Sequence, residues 1–259
     1  MEDGKSTSAE EIVFRDVVKR FGRDGQYAVR GLTFSVRNGE LVAIVGRTGC
    51  GKSTAFNLIM GLIRPTSGSV LVKGHDPSTD FRWFRGKIAV VFQDDRLMPW
   101  RTALENVCLG LEFVGMAKEQ RAEIARRWLQ SLGLEGYEDA YPYQLSGGMK
   151  QRVSIARGFA VDPDIILCDE SFSALDELTA ENLRKEFVDL VHQYGKTGVF
   201  ITHSIPEALS IGERVLVFRA PGHVAEEIAV PESLEPNELE EYREQIRQSM
   251  DDSDAEEAT

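Results

Sequence analysis

The segment Gly46-Arg-Thr-Gly-Cys-Gly-Lys-Ser-Thr54 constrains the fold of this chain more than any other. It follows a short apolar run, Glu40 to Val45, and leads into Ser53 to Leu62, which reads as a helix. A Gly-x4-Gly-Lys-Ser spacing between a buried strand and a helix lets backbone N–H groups curl around phosphates while the helix presents its positive end. Lys52 would neutralise the outer phosphates, Ser53 would turn its hydroxyl to a divalent cation, and Thr54 would bond a phosphate. A loop of this kind calls for an α/β core.

The rest of the chain supplies that core. Ile12 to Val18 and Leu32 to Val36 alternate as strands do, with a hairpin turn at Arg23-Asp-Gly-Gln26 between them. Ser69 to Lys73, Ile165 to Cys168, Gly198 to Thr202 and Arg214 to Phe218 read as further strands. Helices are expected at Gly147 to Ala160 and Leu178 to Tyr194. Leu104 to Phe113 and an amphipathic Lys118 to Leu132 suggest a helical insert. Strands alternating with helices imply a sheet with parallel strands.

Two further motifs carry chemistry. Ile165-Ile-Leu-Cys is apolar enough to bury a strand and bring Asp169 and Glu170 out at its C-terminal end. Asp169 would hold Mg²⁺, and Glu170 would orient and polarise a water. In Leu145-Ser-Gly-Gly-Met-Lys-Gln-Arg152, the turn Ser146, Gly147, Gly148 opens a helix and makes a second anion site.

Charge and length narrow the class. The chain has 259 residues and a net charge of −12, of which Glu226 to Thr259, with 13 acidic residues and two arginines, carries −11. The remainder is close to neutral and offers none of the basic surface that duplex DNA requires, so nucleic acid is not expected as a partner. No stretch of about 18 apolar residues suggests a membrane span, and the polar N-terminus reads as no signal peptide. Cys50, Cys108 and Cys168 lack metal-ligand spacing and fit a reduced cytosol.

From about Ile12 to Phe218 the chain resembles the ATP-binding subunit of an ABC transporter. Gly46, Arg47, Thr48, Gly49, Cys50, Gly51, Lys52, Ser53 and Thr54 match its Walker A motif, and Ile165 to Asp169 match Walker B. Leu145 to Gln151 matches the ABC signature, Ser173-Ala-Leu-Asp176 the D-loop, and Gln93 the Q-loop. His203 corresponds to the switch histidine, and Phe21 to the aromatic that stacks on adenine, with Tyr27 the weaker alternative. His75, His192 and His223 have no such context.

The resemblance implies a P-loop NTPase fold with a mixed sheet, an antiparallel β subdomain and an α-helical subdomain at about 94–160, within an ATPase domain at 1–225. The acidic tail at 226–259 is expected to be solvated and partly disordered, with a surface helix at Glu238 to Met250 and disorder at Asp251 to Thr259. It implies ATP and Mg²⁺ as cofactors, with Ser53, Gln93 and Asp169 at the metal and Glu170, His203 and Gln93 as the catalytic set. Two chains arranged head to tail would hold two ATP, each between one chain's Lys52 loop and the other's Ser146 turn, with Asp176 nearby.

The single nucleotide-binding domain without a fused membrane segment implies an importer motor. It would sit peripherally on the cytoplasmic face of the inner membrane, with separate permease subunits and a substrate-binding protein. Leu97, Pro99 and Trp100 resemble the Leu-x-Pro-Trp segment of the nitrate, sulfonate and taurine branch, in which this region helps accept a permease helix. The rival readings are a soluble ABC ATPase acting on ribosome or DNA, and a non-hydrolysing nucleotide switch. The switch is motivated by two departures: Ser171 stands where the family has Pro, and Ser204 where it has Asp. Cys50 within the loop suggests sensitivity to thiol reagents, with ATP protecting.

Overall fold

The computed structural model describes residues 10–22, 25–172, 175–231, 233 and 235–251. The chain divides into two compact units, Met1–Phe81 with His203–Thr259, and Arg82–Thr202.

In the first unit β1 (Glu10–Phe21) pairs antiparallel with both β2 (Gln26–Arg37) and β4 (Ser67–Val72), in the order β2-β1-β4. The alternation predicted for Leu32 to Val36 is real, whereas that of Ile12 to Val18 holds only through Phe14, because an irregularity with Asp16 at φ +46° shifts the register before Val17. Phe14 faces Phe34 across the pair, and their rings stack at 4.5 Å between centroids. Both strands run longer than their apolar cores suggested. Of the expected turn, Arg23 and Asp24 lie outside the described residues.

The same unit holds β3 (Leu41–Gly46), whose six positions are all buried, parallel to β8 (Arg214–Arg219). β9 (His223–Ala229) runs antiparallel to β8, so these three strands form a mixed sheet. The helix α1 after the phosphate loop is Lys52–Ile59, shorter than expected. Gly61 ends it at φ +68°, where Leu62 N–H bonds back to the Asn57 carbonyl at 3.0 Å. A Cβ at Gly61 would lie 2.0 Å from the Pro77 carbonyl oxygen, so only glycine closes this end.

The second unit contains the parallel strands β5 (Ile88–Val91), β6 (Ile165–Asp169) and β7 (Thr197–Thr202). Its helices are α2 (Ala103–Phe113), α3 (Lys118–Ser131), α4 (Gly147–Ala160) and α5 (Glu177–Gln193). α2, α3 and α4 pack on one another within the span expected for the helical subdomain. On α3, Leu129 is buried as the periodicity implied, whereas Trp128 and Ile124 stay partly exposed along the rim of a groove.

The boundary at 225/226 needs correction, because it cuts through β9. Helix α6 (Ile205–Ile211) lies against β3, and α7 (Pro236–Asp251) packs on β8, β9 and α6. Leu239, Tyr242, Ile246 and Met250, spaced three and four apart, form the face of α7 turned to Val215, Val217 and Ile228. Ile246 is fully buried. Gln245 Nε2 also donates to Glu226 at 2.6 Å, and Asp251 pairs with Arg47. The segment to Asp251 is therefore part of the core, despite its acidity; 252–259 lie outside the described residues.

Removing most of the Ile246 side chain would leave a cavity between α7 and the sheet. Ile246→Ala is expected to lower the unfolding free energy by about 2–4 kcal/mol, measured by urea denaturation. A merely solvated tail would show no change.

Candidate functional site

In the first unit, β3 delivers the chain into the phosphate loop and α1 leaves it. Gly46 has no room for a side chain: a Cβ there would meet the Phe218 carbonyl oxygen at 2.5 Å and Cys50 Sγ at 2.6 Å. Gly51, at φ +105°, would clash with the Ala28 carbonyl oxygen at 2.7 Å and Gly222 Cα at 2.8 Å. These contacts fix the curl of the backbone. Arg47, Thr48, Gly49 and Ser53 line its exposed side, and Thr54 is partly buried.

Lys52 turns into the loop and is only 6% exposed. Its Nζ donates to the Gly46 carbonyl at 2.6 Å and to the Arg47 carbonyl at 3.1 Å. α1 has no side-chain cap at Gly51, so its first N–H groups are left to a ligand or to water. A buried ammonium beside an uncapped helix start is a site for polyanionic phosphate.

Phe21, half exposed, offers a ring face with Lys19 Nζ 5.0 Å from its centroid. Tyr27 is engaged by two cations, the Arg20 guanidinium at 3.9 Å and that of Arg30 at 5.2 Å. Phe21 is thus the better stacking surface of the two. His203 is exposed and immediately precedes α6, whose N-cap is Ser204. The Ser204 hydroxyl accepts from Glu207 N–H at 3.4 Å, with Pro206 in the first turn. Serine caps a helix as well as aspartate does, so this departure keeps the geometry after His203.

In the second unit, β6 brings Asp169 and Glu170 out at its end, both partly exposed. Glu170 adopts φ +46°, and its N–H donates to the Ile201 carbonyl at 2.9 Å. The following Ser171, buried, donates its hydroxyl to the Val91 carbonyl at 2.8 Å. The second departure therefore supplies a bond that proline could not make, tying the Glu170 turn to the strand that leads to Gln93. Gln93 itself is exposed just beyond β5.

Ser146 caps α4, its hydroxyl accepting from Met149 N–H at 3.3 Å. A Cβ on Gly148 would lie 2.9 Å from Thr179 Cγ2, and one on Gly147 3.3 Å from Leu175 Cδ2, so these glycines let α4 approach the start of α5. Ser146, Gly147, Gly148 and Asp176 line one open groove of about 490 Å³. Asp176 caps α5, its carboxylate accepting from Thr179 N–H at 3.1 Å; hydrogen bonding from the Thr179 side chain first, and then from this N–H, holds it below the usual carboxylate range. Ser173 and Ala174 of the expected D-loop lie outside the described residues.

An apolar strand, a glycine loop with a buried lysine and a strand-end acid pair define a P-loop nucleotide hydrolase. Residues 29–173 match the family described as ABC transporter. The chain is 44% identical to an ABC transporter ATP-binding protein of Methanocaldococcus jannaschii, over 87% of this chain and 85% of that protein. It is 41% identical to the glycine betaine transport ATP-binding protein OpuAA of Bacillus subtilis, over 92% of this chain but only 57% of that protein. A solved ATP-binding cassette, described as dimeric, post-hydrolysis and bound to ADP and Pi, superposes with a TM-score of 0.75. It is 36% identical and matches over 86% of this chain and all of its own.

The chain belongs to the ABC transporter family, has its ATPase fold, and is an ATP-binding subunit that hydrolyses ATP. The comparisons correct one expectation. Glycine betaine transport ATP-binding proteins of Bacillus subtilis, Listeria monocytogenes and Salmonella typhimurium are among the chain's relatives, so the likeness does not single out the nitrate, sulfonate and taurine branch. The Leu97-x-Pro99-Trp100 segment misled because it belongs to a stretch read as a docking surface, which need not follow the cargo.

Cys50 also departs from expectation. It is 3% exposed, and burial pushes its thiol up, against the opposing pull of Lys52, whose Nζ lies 3.9 Å away. A raised thiol pKa leaves little thiolate at neutral pH. Maleimide labelling of the folded protein should be slower at pH 7 than that of an exposed cysteine by about tenfold or more, and accelerate as pH rises past the ordinary thiol range. Labelling as fast as free cysteine at pH 7 would contradict this burial.

Proposed function

We propose that the chain is the ATP-hydrolysing motor of a membrane importer, working as a head-to-tail pair of identical chains around two ATP. One observation carries the reading. The chain builds two separate helix starts, the Lys52 loop on α1 and the Ser146 turn on α4, each of the kind that suits an anion, and a clasped nucleotide would use both. The dimeric form of the ADP- and Pi-bound relative supports the pairing.

In this reading Lys52 exchanges its two carbonyl partners for phosphate oxygens, and Phe21 stacks on adenine. The backbone of Arg47, Thr48, Gly49, Cys50 and Gly51 wraps the phosphates, and Thr54 bonds one of them. Glu170 polarises the attacking water, His203 donates to the terminal phosphate, and Ser146 with Gly147 and Gly148 of the second chain closes over it, with Asp176 alongside.

Ser53, Asp169 and Gln93 offer hydroxyl, carboxylate and carboxamide oxygens. Among the described residues no group of three or more His, Cys, Asp or Glu forms a cage. Such hard, sparse donors suit Mg²⁺, which takes few protein ligands and fills its shell with phosphate and water. Mg²⁺ held there would neutralise charge on the transferring phosphoryl group.

No helix among the described residues is long and apolar enough to cross a membrane. The relatives named as transport ATP-binding proteins support separate permease subunits, with the motor held peripherally on the cytoplasmic face of the membrane. Trp100, 71% exposed, lies on the segment proposed to receive a permease helix. The betaine-carrying relatives support a compact zwitterionic osmolyte as cargo, delivered by a substrate-binding protein.

Glu170→Gln should remove most hydrolysis and accumulate an ATP-bound dimer, seen as a doubled mass by size exclusion with light scattering. A variant that stays monomeric at saturating ATP would contradict the clasp. The motor role is tested by affinity capture from detergent-solubilised membranes with mass spectrometry. Recovery of a multi-span permease is expected; recovery of ribosomal or DNA-associated proteins without one would overturn it.

A further inference from the structure

The bend that follows Gln93 is held by side chains from two helices of the second unit. From α4, Arg157 donates through Nη2 to the Asp95 carbonyl at 2.7 Å and through Nη1 to the Arg96 carbonyl at 2.8 Å. Nη2 also reaches Ser154 Oγ at 3.2 Å. Burial pulls this guanidinium below the usual arginine value, and the nearby Asp95 opposes the shift. From α2, the fully buried Asn106 accepts from Met98 N–H at 2.7 Å. Its Nδ2 donates to the carbonyls of Met98, Arg101 and Thr102 at 3.2, 3.1 and 3.0 Å.

Arg96 between these clamps adopts φ +47°, a region that non-glycine residues rarely enter, with its guanidinium 3.6 Å from the centroid of the Phe92 ring. The bend is therefore imposed by its partners, not preferred locally. Leu97 is turned inward, and Trp100 is left exposed.

The two clamps differ in what they join. Asn106 ties the segment to α2, two turns along the same stretch of chain. Arg157 ties it to α4, the helix whose first residues are the Ser146 turn. Gly147 to Arg157 spans about 15 Å of continuous helix, which moves as one body. Two carbonyls on successive residues match the fixed fork of a guanidinium, which an ammonium does not have.

We propose that Arg157 is a positioning residue that transmits engagement of the Ser146 turn to the Gln93–Trp100 segment. The inference rests on the two-chain clasp proposed above. When nucleotide of the second chain draws in the start of α4, the Arg157 fork carries the Asp95–Arg96 backbone with it, and the Trp100 surface shifts or stiffens in step. Without the fork, the clasp closes but the segment does not follow.

Hydrogen exchange followed by mass spectrometry on the full chain tests this, in the Glu170→Gln background, with and without ATP and Mg²⁺. In that parent, ATP should slow exchange in peptides covering 146–152 and 94–102, each by about tenfold. With Arg157→Gln added, the slowing at 146–152 should persist and that at 94–102 should vanish. If Arg157→Gln loosens α4 throughout, Arg157→Lys, which keeps the charge but not the fork, is read by the same two criteria. ATP-induced slowing at both segments in the variant would overturn the inference alone. ATP that slows neither segment in the parent would overturn the clasp and the inference together.

Discussion

Everything in the proposed mechanism depends on a buried ammonium held by backbone. Lys52 Nζ sits among the carbonyls of Gly46 and Arg47, with the thiol of Cys50 close by. A buried cation without partners is costly, and here the partners are main-chain oxygens that exist only while the loop keeps its curl. The curl is enforced from outside, by Phe218 against Gly46 and by Ala28 and Gly222 against Gly51. The antiparallel β1–β2 pair and the β3–β8–β9 sheet thus shape the phosphate site, as well as providing a core. α7 backs that same sheet, and so an acidic helix remote in sequence helps hold the loop.

The second unit follows a related rule: the candidate site residues lie beside turns held by side-chain bonds to backbone. Ser171 bonds Val91, Arg157 bonds Asp95 and Arg96, and Asn106 bonds Met98. Each brings a hydroxyl, guanidinium or carboxamide to a main-chain group of another residue. Glu170 and Arg96, both at positive φ, sit within this web. The departure at Ser171 belongs to it too, since its hydroxyl ties the Glu170 turn to β5; Ser204, in the first unit, instead caps α6 locally.

The parts of this arrangement visible in the sequence are those encoded locally. β3 and β6 could be read because nearly every position is buried, and α4 because Ser146 and its glycines announce a helix start. β9 was not legible: it pairs with β8 and buries Ile228 alone, so its alternation is faint. β5 is four residues long, too short for a period. α6 carried its own start signal in Ser204 and Pro206, but Ser204 was read only as a family departure. The helix in the tail was legible but its packing was not, because eleven net negative charges hid a four-residue apolar stripe. The burial of Cys50 and the reach of Arg157 across about 60 residues have no local signature; they follow from packing alone.

The central claim is that each ATP is completed by two chains, and mixing inactive variants tests it most directly. Lys52→Ala disables one half of each composite site, and a bulky Ser146→Arg disables the other. Steady-state phosphate release is measured for each variant alone and for their equimolar mixture. Mixed dimers carry one site with both halves intact, so random pairing predicts recovery of about a quarter of wild-type hydrolysis, provided one intact site can turn over. A mixture no more active than its two components would contradict the two-chain site.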